Sequence, residues 1–311
     1  MNDTYLHTMS LMGTVVTMQV VGHGATPEQQ RERSDAVTRA FGWLQHVEAV
    51  CSRFDAASEL RNLSSHIGEP VVASPLLYHA LEFALAVAEA SDGAFDPTVG
   101  RRMELLGFNH EYRSGVEIDT STALTAVSYR DVMLDAEAHT ITLTRPLLLD
   151  LGAVAKGLAI DLAVRELQPF KDFAIDAGGD LFLGGHNTRD EPWQVGIRHP
   201  RDATAMIELL RVSNVAVCTS GDYERPSPNT TIGSAHTNSH HLLDGRADAS
   251  AVLCASVTVI AQSAMVADAL ATAAFALGPA AGVALLERHG VDALLVTPSL
   301  ERFTVGQVHH A

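Results

Sequence analysis

Hydrophobic and polar positions alternate along several short stretches of this chain and follow a helical period along others. Thr14–Val21 is rich in Val and Thr and alternates, which predicts a strand. Thr26-Pro27 places a capping residue before a proline, which opens a helix expected to run to about Val50. Ser74-Pro75 repeats the signal and predicts a second helix, ending near Gly93. Short strands follow at Val132–Leu134 and Thr140–Leu143, and a third helix runs from about Ala153 to Leu167. Further strands are expected at Phe173–Asp176, Leu181–Leu183, Gln194–Arg198, Ile207–Val212, Ala216–Cys218 and Ser256–Ile260. The alanine-rich stretch Ser263–Gly278 predicts a helix stopped by Gly278-Pro279. A helix at Pro279–His289 and strands at Ala293–Val296 and Phe303–Val305 complete the pattern. Strands and helices mix without a strict βαβ rhythm, so the expected class is α+β. No repeat of fixed period is visible, and no shift in composition divides residues 1–311, which are expected to form one domain. The segment from Asp222 to Ser239, rich in Pro, Ser, Thr and Asn, is expected to be a flexible loop.

Composition narrows the possible partners. With 37 acidic and 21 basic residues the formal net charge is −16, which argues against a nucleic-acid or anionic-membrane surface. It also means that a phosphate ligand needs local cations, either a metal or placed Lys and Arg. The three cysteines, Cys51, Cys218 and Cys254, form no paired motif and are expected to be inert buried thiols. The first residues carry neither a basic region nor a continuous apolar run, so no signal peptide is expected and a cytoplasmic location is the expectation. The apolar stretch from Ala251 to Leu286 is interrupted by Gln262, Ser263, Asp268 and Gly278-Pro279, so it is read as core rather than as a membrane span.

Candidate chemistry lies where these elements end. Asp268 and Thr272 stand four residues apart in the alanine-rich helix, on one face. A carboxylate and a hydroxyl so placed in a stretch that favours burial suit a hard cation held by oxygen. Asp150-Leu-Gly-Ala-Val-Ala-Lys-Gly157 turns from a strand end into a helix, whose free N-terminal amides and Lys156 suit a phosphate. It lacks the Walker A pattern. Ser91-Asp-Gly-Ala-Phe-Asp-Pro-Thr-Val-Gly100 fixes a tight path in which Asp96 and Thr98 could face a ligand, or form an ordinary capped turn. The paired glycines of Asp176-Ala-Gly-Gly-Asp180 allow close backbone approach or a tight turn. Cys218-Thr-Ser-Gly-Asp222 runs from strand into polar turn. In His240-His-Leu-Leu-Asp-Gly-Arg246, His241, Asp244 and Arg246 could supply a base, its orienter and a phosphate contact.

Taken in order, these segments resemble the ApbE family of FAD:protein FMN transferases. The resemblance starts at Met12-Gly-Thr14 and Phe54-Asp-Ala-Ala-Ser-Glu-Leu60 and runs through the segments above and Trp193-Gln-Val-Gly-Ile197 to Ala267-Asp-Ala-Leu-Ala-Thr272. It implies a fold of mixed sheets with packed helices and an FAD cleft between two lobes. It implies Mg²⁺ held by the Ala153 carbonyl, Asp268 and Thr272. FAD contacts are implied for Ala94, Phe95, Asp96, Asp150, Lys156, Leu243 and Arg246, with Met12 and Phe54 near the isoalloxazine. The implied reaction is Mg²⁺-dependent transfer of FMN from FAD to a Thr or Ser hydroxyl of a target flavoprotein, with AMP leaving and His241 as base. Two departures stand out. The usual His-x-x-Asp-Pro-Arg-Thr-Gly reads His241-Leu-Leu-Asp-Gly-Arg-Ala-Asp248, so a looser loop and a less firmly placed Arg246 are expected. Phe54 replaces a frequent Tyr. Hydrolysis of FAD to FMN and AMP, and non-catalytic FAD binding, are the alternative readings.

Overall fold

The computed structural model describes residues 3–22, 26–110, 115–118, 126–224, 240–247 and 249–307. Most of the Asp222–Ser239 loop, and the Asn229-Thr-Thr sequence within it, lie outside the described residues, as does Asp248.

Eight strands form one sheet in which every neighbouring pair is antiparallel: β1 (Asp3–Leu11), β2 (Thr14–Gly22), β6 (Phe173–Ala177), β7 (Asp180–Gly184), β10 (Val215–Gly221), β11 (Ser256–Ala261), β12 (Asp292–Val296) and β13 (Arg302–Val305), in that order across the sheet. Two of its hairpins close through two-residue turns. Met12 (φ 53°) and Gly13 (φ 74°) join β1 to β2, and Gly178 (φ 69°) and Gly179 (φ 96°) join β6 to β7. Such turns need positive φ at both central positions to match the strand twist, which is why Gly-Gly suits one of them and Met12 is held in a left-handed conformation in the other. The two turns are neighbours: a Cβ added to Gly178 would collide with the Thr14 side chain.

Helices α1 (Pro27–Cys51), α5 (Gly152–Leu167), α6 (Ala264–Leu277) and α7 (Pro279–His289) accompany this sheet. Thr26 caps α1 through a reciprocal capping box with Gln29, and Ser263 caps α6 by accepting the Val266 amide. The α5 helix packs against both α1 and α6, and α6 lies on β10 and β11. Their apolar faces (Phe41 and Leu44, Leu158 and Ile160, Leu270 and Phe275) join Val16, Met18, Ile175, Val257 and Val259 of the sheet in the main core. A separate ribbon, β8 (Trp193–Arg198) and β9 (Met206–Val212), packs Ile197, Ile207, Leu210 and Val212 against Leu183, Val217, Ile260 and Val296. This explains why those sheet strands read as continuous apolar runs: both faces are covered. A second sheet of three strands, β3 (Val71–Val72), β5 (Thr140–Leu143) and β4 (Val132–Asp135), accompanies α3 (Pro75–Ala90). Among the described residues no helix is long and apolar enough to cross a membrane.

The α+β expectation holds, and each predicted strand and helix is present with ends shifted by a few residues. One helix end that moves is that of α3, expected near Gly93. It stops at Ala90 because Ser91 returns its hydroxyl to the Val87 carbonyl (2.8 Å) and Gly93, at φ 76°, donates to Ala88 O. Five elements were not anticipated: β1, the two-residue β3, the short helices α2 (Glu59–Leu63) and α4 (Gly100–Leu105), and a single 3-10 turn at Tyr129–Asp131.

Candidate functional site

Close contact between α5 and α6 builds the centre of the site. Gly157 lies where a Cβ would strike the Ala264 carbonyl and come within 2.5 Å of Met265 Cα, so only glycine permits this crossing. Asp161, one turn further along α5, caps α6 through the Ser263 hydroxyl (2.6 Å) and the Ala264 and Met265 amides (2.7 and 3.1 Å). This crossing brings Lys156 to Asp268. Lys156 Nζ lies 2.9 Å from Asp268 and 2.8 Å from Asp180, the first residue of β7 after the Gly178-Gly179 turn.

Both carboxylates are buried. The Asp268 carboxyl is pushed up to about 6: burial raises it most, Lys156 pulls it back, and the charge of Asp180 raises it again. Burial alone would lower Lys156, but its two carboxylate partners outweigh this and hold it well above the ordinary lysine value. Two anions share one ammonium, so the cluster keeps a net negative charge. Beside it, Thr272 stands one turn beyond Asp268 and exchanges a hydrogen bond of 3.0 Å with Ser220 at the end of β10. Among the described residues no group of three or more His, Cys, Asp or Glu side chains could hold a metal. The set expected from the sequence is different in kind: one carboxylate, one hydroxyl and one carbonyl.

The remaining residues join this centre through a continuous set of contacts. Asp150 donates its amide to the Pro97 carbonyl (2.8 Å), and its carboxylate accepts the Gly152 amide (2.7 Å) and Arg53 Nε (2.5 Å). The first amide of α5, expected to be open to a phosphate, is therefore taken by the carboxylate two residues before it. Arg53 also donates to the Phe108 carbonyl and stacks its guanidinium over Phe54, 4.1 Å from the ring centroid. Phe108 in turn meets the His241 ring edge-on at 6.3 Å.

Two expectations change on this geometry. Asp96 does not turn outward: it accepts the Thr98 amide and hydroxyl (2.8 and 2.7 Å) and the Tyr129 amide (3.0 Å), and Ala94 and Phe95 are buried beside it. Any ligand contact here would fall to the backbone. Asp244 is engaged by Arg246 in a two-pronged pair (2.9 and 2.8 Å). Burial would raise the Asp244 carboxyl, but the Arg246 bonds and charge outweigh it and hold it below the usual range. Lys156, expected to face a phosphate, is committed to two carboxylates. Leu243 is buried and bridges to Ser250, and Met12 donates its amide to Glu48 (2.8 Å) at the sheet end.

Sequence reasoning missed Arg53, Asp180, Arg102 and Ser220. Arg53 had a signal: a basic residue next to an aromatic, in a chain short of basic residues. Asp180 sat inside a recognised motif, but a Gly-Gly-Asp turn does not reveal which distant side chain its carboxylate meets.

The fold is a mixed α+β architecture in which a buried cluster of Lys156, Asp180 and Asp268 lies beside the Gly178-Gly179 turn. The chain belongs to the ApbE family, whose model matches residues 12–295. A relative from Treponema pallidum named FAD:protein FMN transferase is 35% identical over 284 residues, covering 85% of this chain and 77% of the relative. One of the same name from Vibrio cholerae is 29% identical over 273 residues, covering 84% and 78%. The crystal structure of the ApbE protein from Thermotoga maritima superposes with a TM-score of 0.83 at 29% identity, covering 97% of each chain. The flavin transferase ApbE from Vibrio cholerae shares the fold, with a TM-score of 0.80 at 23% identity and 98% of each chain covered.

Proposed function

We propose that this protein transfers FMN from FAD to a Thr or Ser hydroxyl of a target flavoprotein and releases AMP. The observation that carries the reading is the Lys156–Asp180–Asp268 cluster, which retains one negative charge next to the hydroxyls of Thr272 and Ser220. A divalent cation would outweigh that charge and leave the site positive toward a pyrophosphate, and the donor chemistry fits Mg²⁺: Asp268, Thr272 and the Ala153 carbonyl would hold it, with phosphate and water oxygens filling the remaining positions. When bound, Mg²⁺ supplies charge neutralisation at the pyrophosphate.

The chain's own groups then do the following. The backbone of Ala94, Phe95 and Asp96, together with Leu243 and Arg246, lines the FAD. Met12 and the Arg53-backed ring of Phe54 flank the isoalloxazine. Asp150 and Lys156 fix the start of α5 against it. His241 takes the proton of the acceptor hydroxyl as its oxygen attacks the FMN-side phosphorus. The bond between that phosphorus and the bridging oxygen breaks, and AMP leaves with the electron pair. Asp244 acts by holding Arg246.

The test is incubation with FAD, Mg²⁺ and a flavoprotein fragment bearing a Thr acceptor, followed by intact mass of the fragment. The expected result is an FMN-sized gain that EDTA abolishes. FAD converted to FMN and AMP with no gain would replace transfer by hydrolysis. Intact FAD with no gain would leave binding alone.

A further inference from the structure

We infer that Arg102 is a positioning residue that docks the Asp244–Ala247 loop, replacing by hydrogen bonds the stiffness that the loop's departure from the family pattern removes. The proposal rests on the flavin-transferase reading only in that this loop carries Asp244 and Arg246.

Arg102 lies on α4, half-buried, and its guanidinium reaches three backbone carbonyls of the loop: Asp244 O (3.3 Å), Gly245 O (2.9 Å) and Ala247 O (2.5 Å). The fork spreads its donors over two terminal nitrogens in a fixed plane, Nη1 on Asp244 O and Ala247 O and Nη2 on Gly245 O, a span that the single nitrogen of a lysine does not match. Two further contacts press the loop inward. Gly245 donates its amide to the Ala94 carbonyl (2.9 Å), and a Cβ on Gly245 would collide with the Gly93 carbonyl and lie 2.6 Å from Asp96 Cβ. A proline at 245, as in the usual pattern, has no amide for that bond and carries the Cβ that the approach excludes. Glycine thus lets the loop backbone close onto the Gly93–Asp96 segment, and Arg102 secures it there. The Asp244–Arg246 pair and the Ala247 amide on Asp244 O (3.1 Å) complete the structure.

The dock joins two segments of the site that are far apart in sequence. Residues 93–96 hold one side, and the loop presenting Arg246 and following His241 holds the other. Losing Arg102 should release the loop, because three of the loop's backbone carbonyls lose the donor that holds them.

The experiment compares wild type, Arg102→Leu, Arg102→Lys and Gly245→Ala by residue-resolved hydrogen exchange, thermal melting and FMN-transfer kinetics. In Arg102→Leu, exchange at the Gly245, Arg246 and Ala247 amides should accelerate about tenfold or more, and kcat should fall by a similar factor at an unchanged thermal midpoint. Arg102→Lys should recover only part of both. Gly245→Ala should give the same local exchange signature from the opposite side of the dock, and the double variant should be no worse than the worse single, because both act on one contact. Wild-type exchange at these amides in Arg102→Leu would overturn the proposal. So would a fall in kcat that tracks a lower thermal midpoint with no local change in exchange. Exchange is read without turnover, so it judges the dock even if wild-type enzyme transfers no FMN.

Discussion

Replacing Lys156 by Met tests the electrostatic centre of the site most directly. The substitution keeps the length and apolar stem of the side chain but removes the one cation shared by Asp180 and Asp268, at 2.8 and 2.9 Å. Removing one partner of a buried ion pair costs about 3–5 kcal/mol, because the charge left behind is uncompensated. The lysine side chain keeps 21% of its surface exposed, which places the expected loss in the lower part of that range, about 3–4 kcal/mol. At ~2.1 cal/mol/K of unfolding entropy per residue, this chain has about 0.65 kcal/mol/K, so its melting temperature should drop by about 5–6 °C. Calorimetry at pH 7.5 in EDTA reads this. Adding Mg²⁺ should return more stability to the variant than to wild type, since the cation then supplies the missing charge; at a hundredfold excess over its Kd, binding contributes about 2.7 kcal/mol. Placing Asp268→Asn in the variant background should abolish that return. The gap between variant and wild type should narrow at pH 5, where the carboxyl of Asp268, already pushed up to about 6, takes a proton. A variant melting with wild type in EDTA, or equal Mg²⁺ stabilisation of both, would refute the reasoning.

Other perturbations probe how the centre is held. Gly157→Ala places a methyl against the backbone of Ala264 and Met265, so α5 and α6 must part; urea unfolding should show a loss of about 1–3 kcal/mol, and an unchanged midpoint would count against the close crossing. Asp161→Ala strips α6 of the partner of two amides and of Ser263, with an expected loss of about 2 kcal/mol; helix content at equal denaturant checks it. His240 is buried edge-on to Phe275 and accepts the Leu242 amide, and burial holds its pKa below the ordinary value despite a backbone bond to Ala251. Its folded form binds a proton less readily than its unfolded form, so its contribution to stability is present above pH ~6.5 and is lost as pH falls below that. The stability difference between wild type and His240→Asn should therefore shrink between pH 7.5 and 5.5, and a constant difference would remove His240 from the acid response.

Regular elements were legible wherever periodicity, a cap or a stop signal coincided. Thr26-Pro27, Ser74-Pro75 and Gly278-Pro279 set three helix boundaries, and the buried strands announced themselves as apolar runs. The strand β1 was missed because it is an edge: its outward Leu6 is 60% exposed, so its apolar pattern is broken by residues that no neighbour covers. Helices α2 and α4 are too short to show a period. At the site, the Asp268–Thr272 spacing was readable because it lies within one helix. The Lys156–Asp180–Asp268 meeting was not, because it depends on a glycine crossing between two helices and on the turn before β7. The motifs marked which segments gather; they did not specify which charges pair.

That pairing decides how an acidic protein could hold an anionic dinucleotide. A count of lysines and arginines near the motifs suggests cations ready for phosphate, but the structure commits them inward. Arg53 neutralises Asp150, Lys156 is shared by Asp180 and Asp268, Arg246 is clasped by Asp244, and Arg201 forms a two-pronged pair with Asp222. Arg102 holds carbonyls. Even the amide at the start of α5 is given to a carboxylate. These pairs fix the segments with little conformational freedom and leave little positive charge to offer. In the Lys156–Asp180–Asp268 cluster two carboxylates face one cation, so under the proposed function a divalent cation bound there would supply the charge that a pyrophosphate requires.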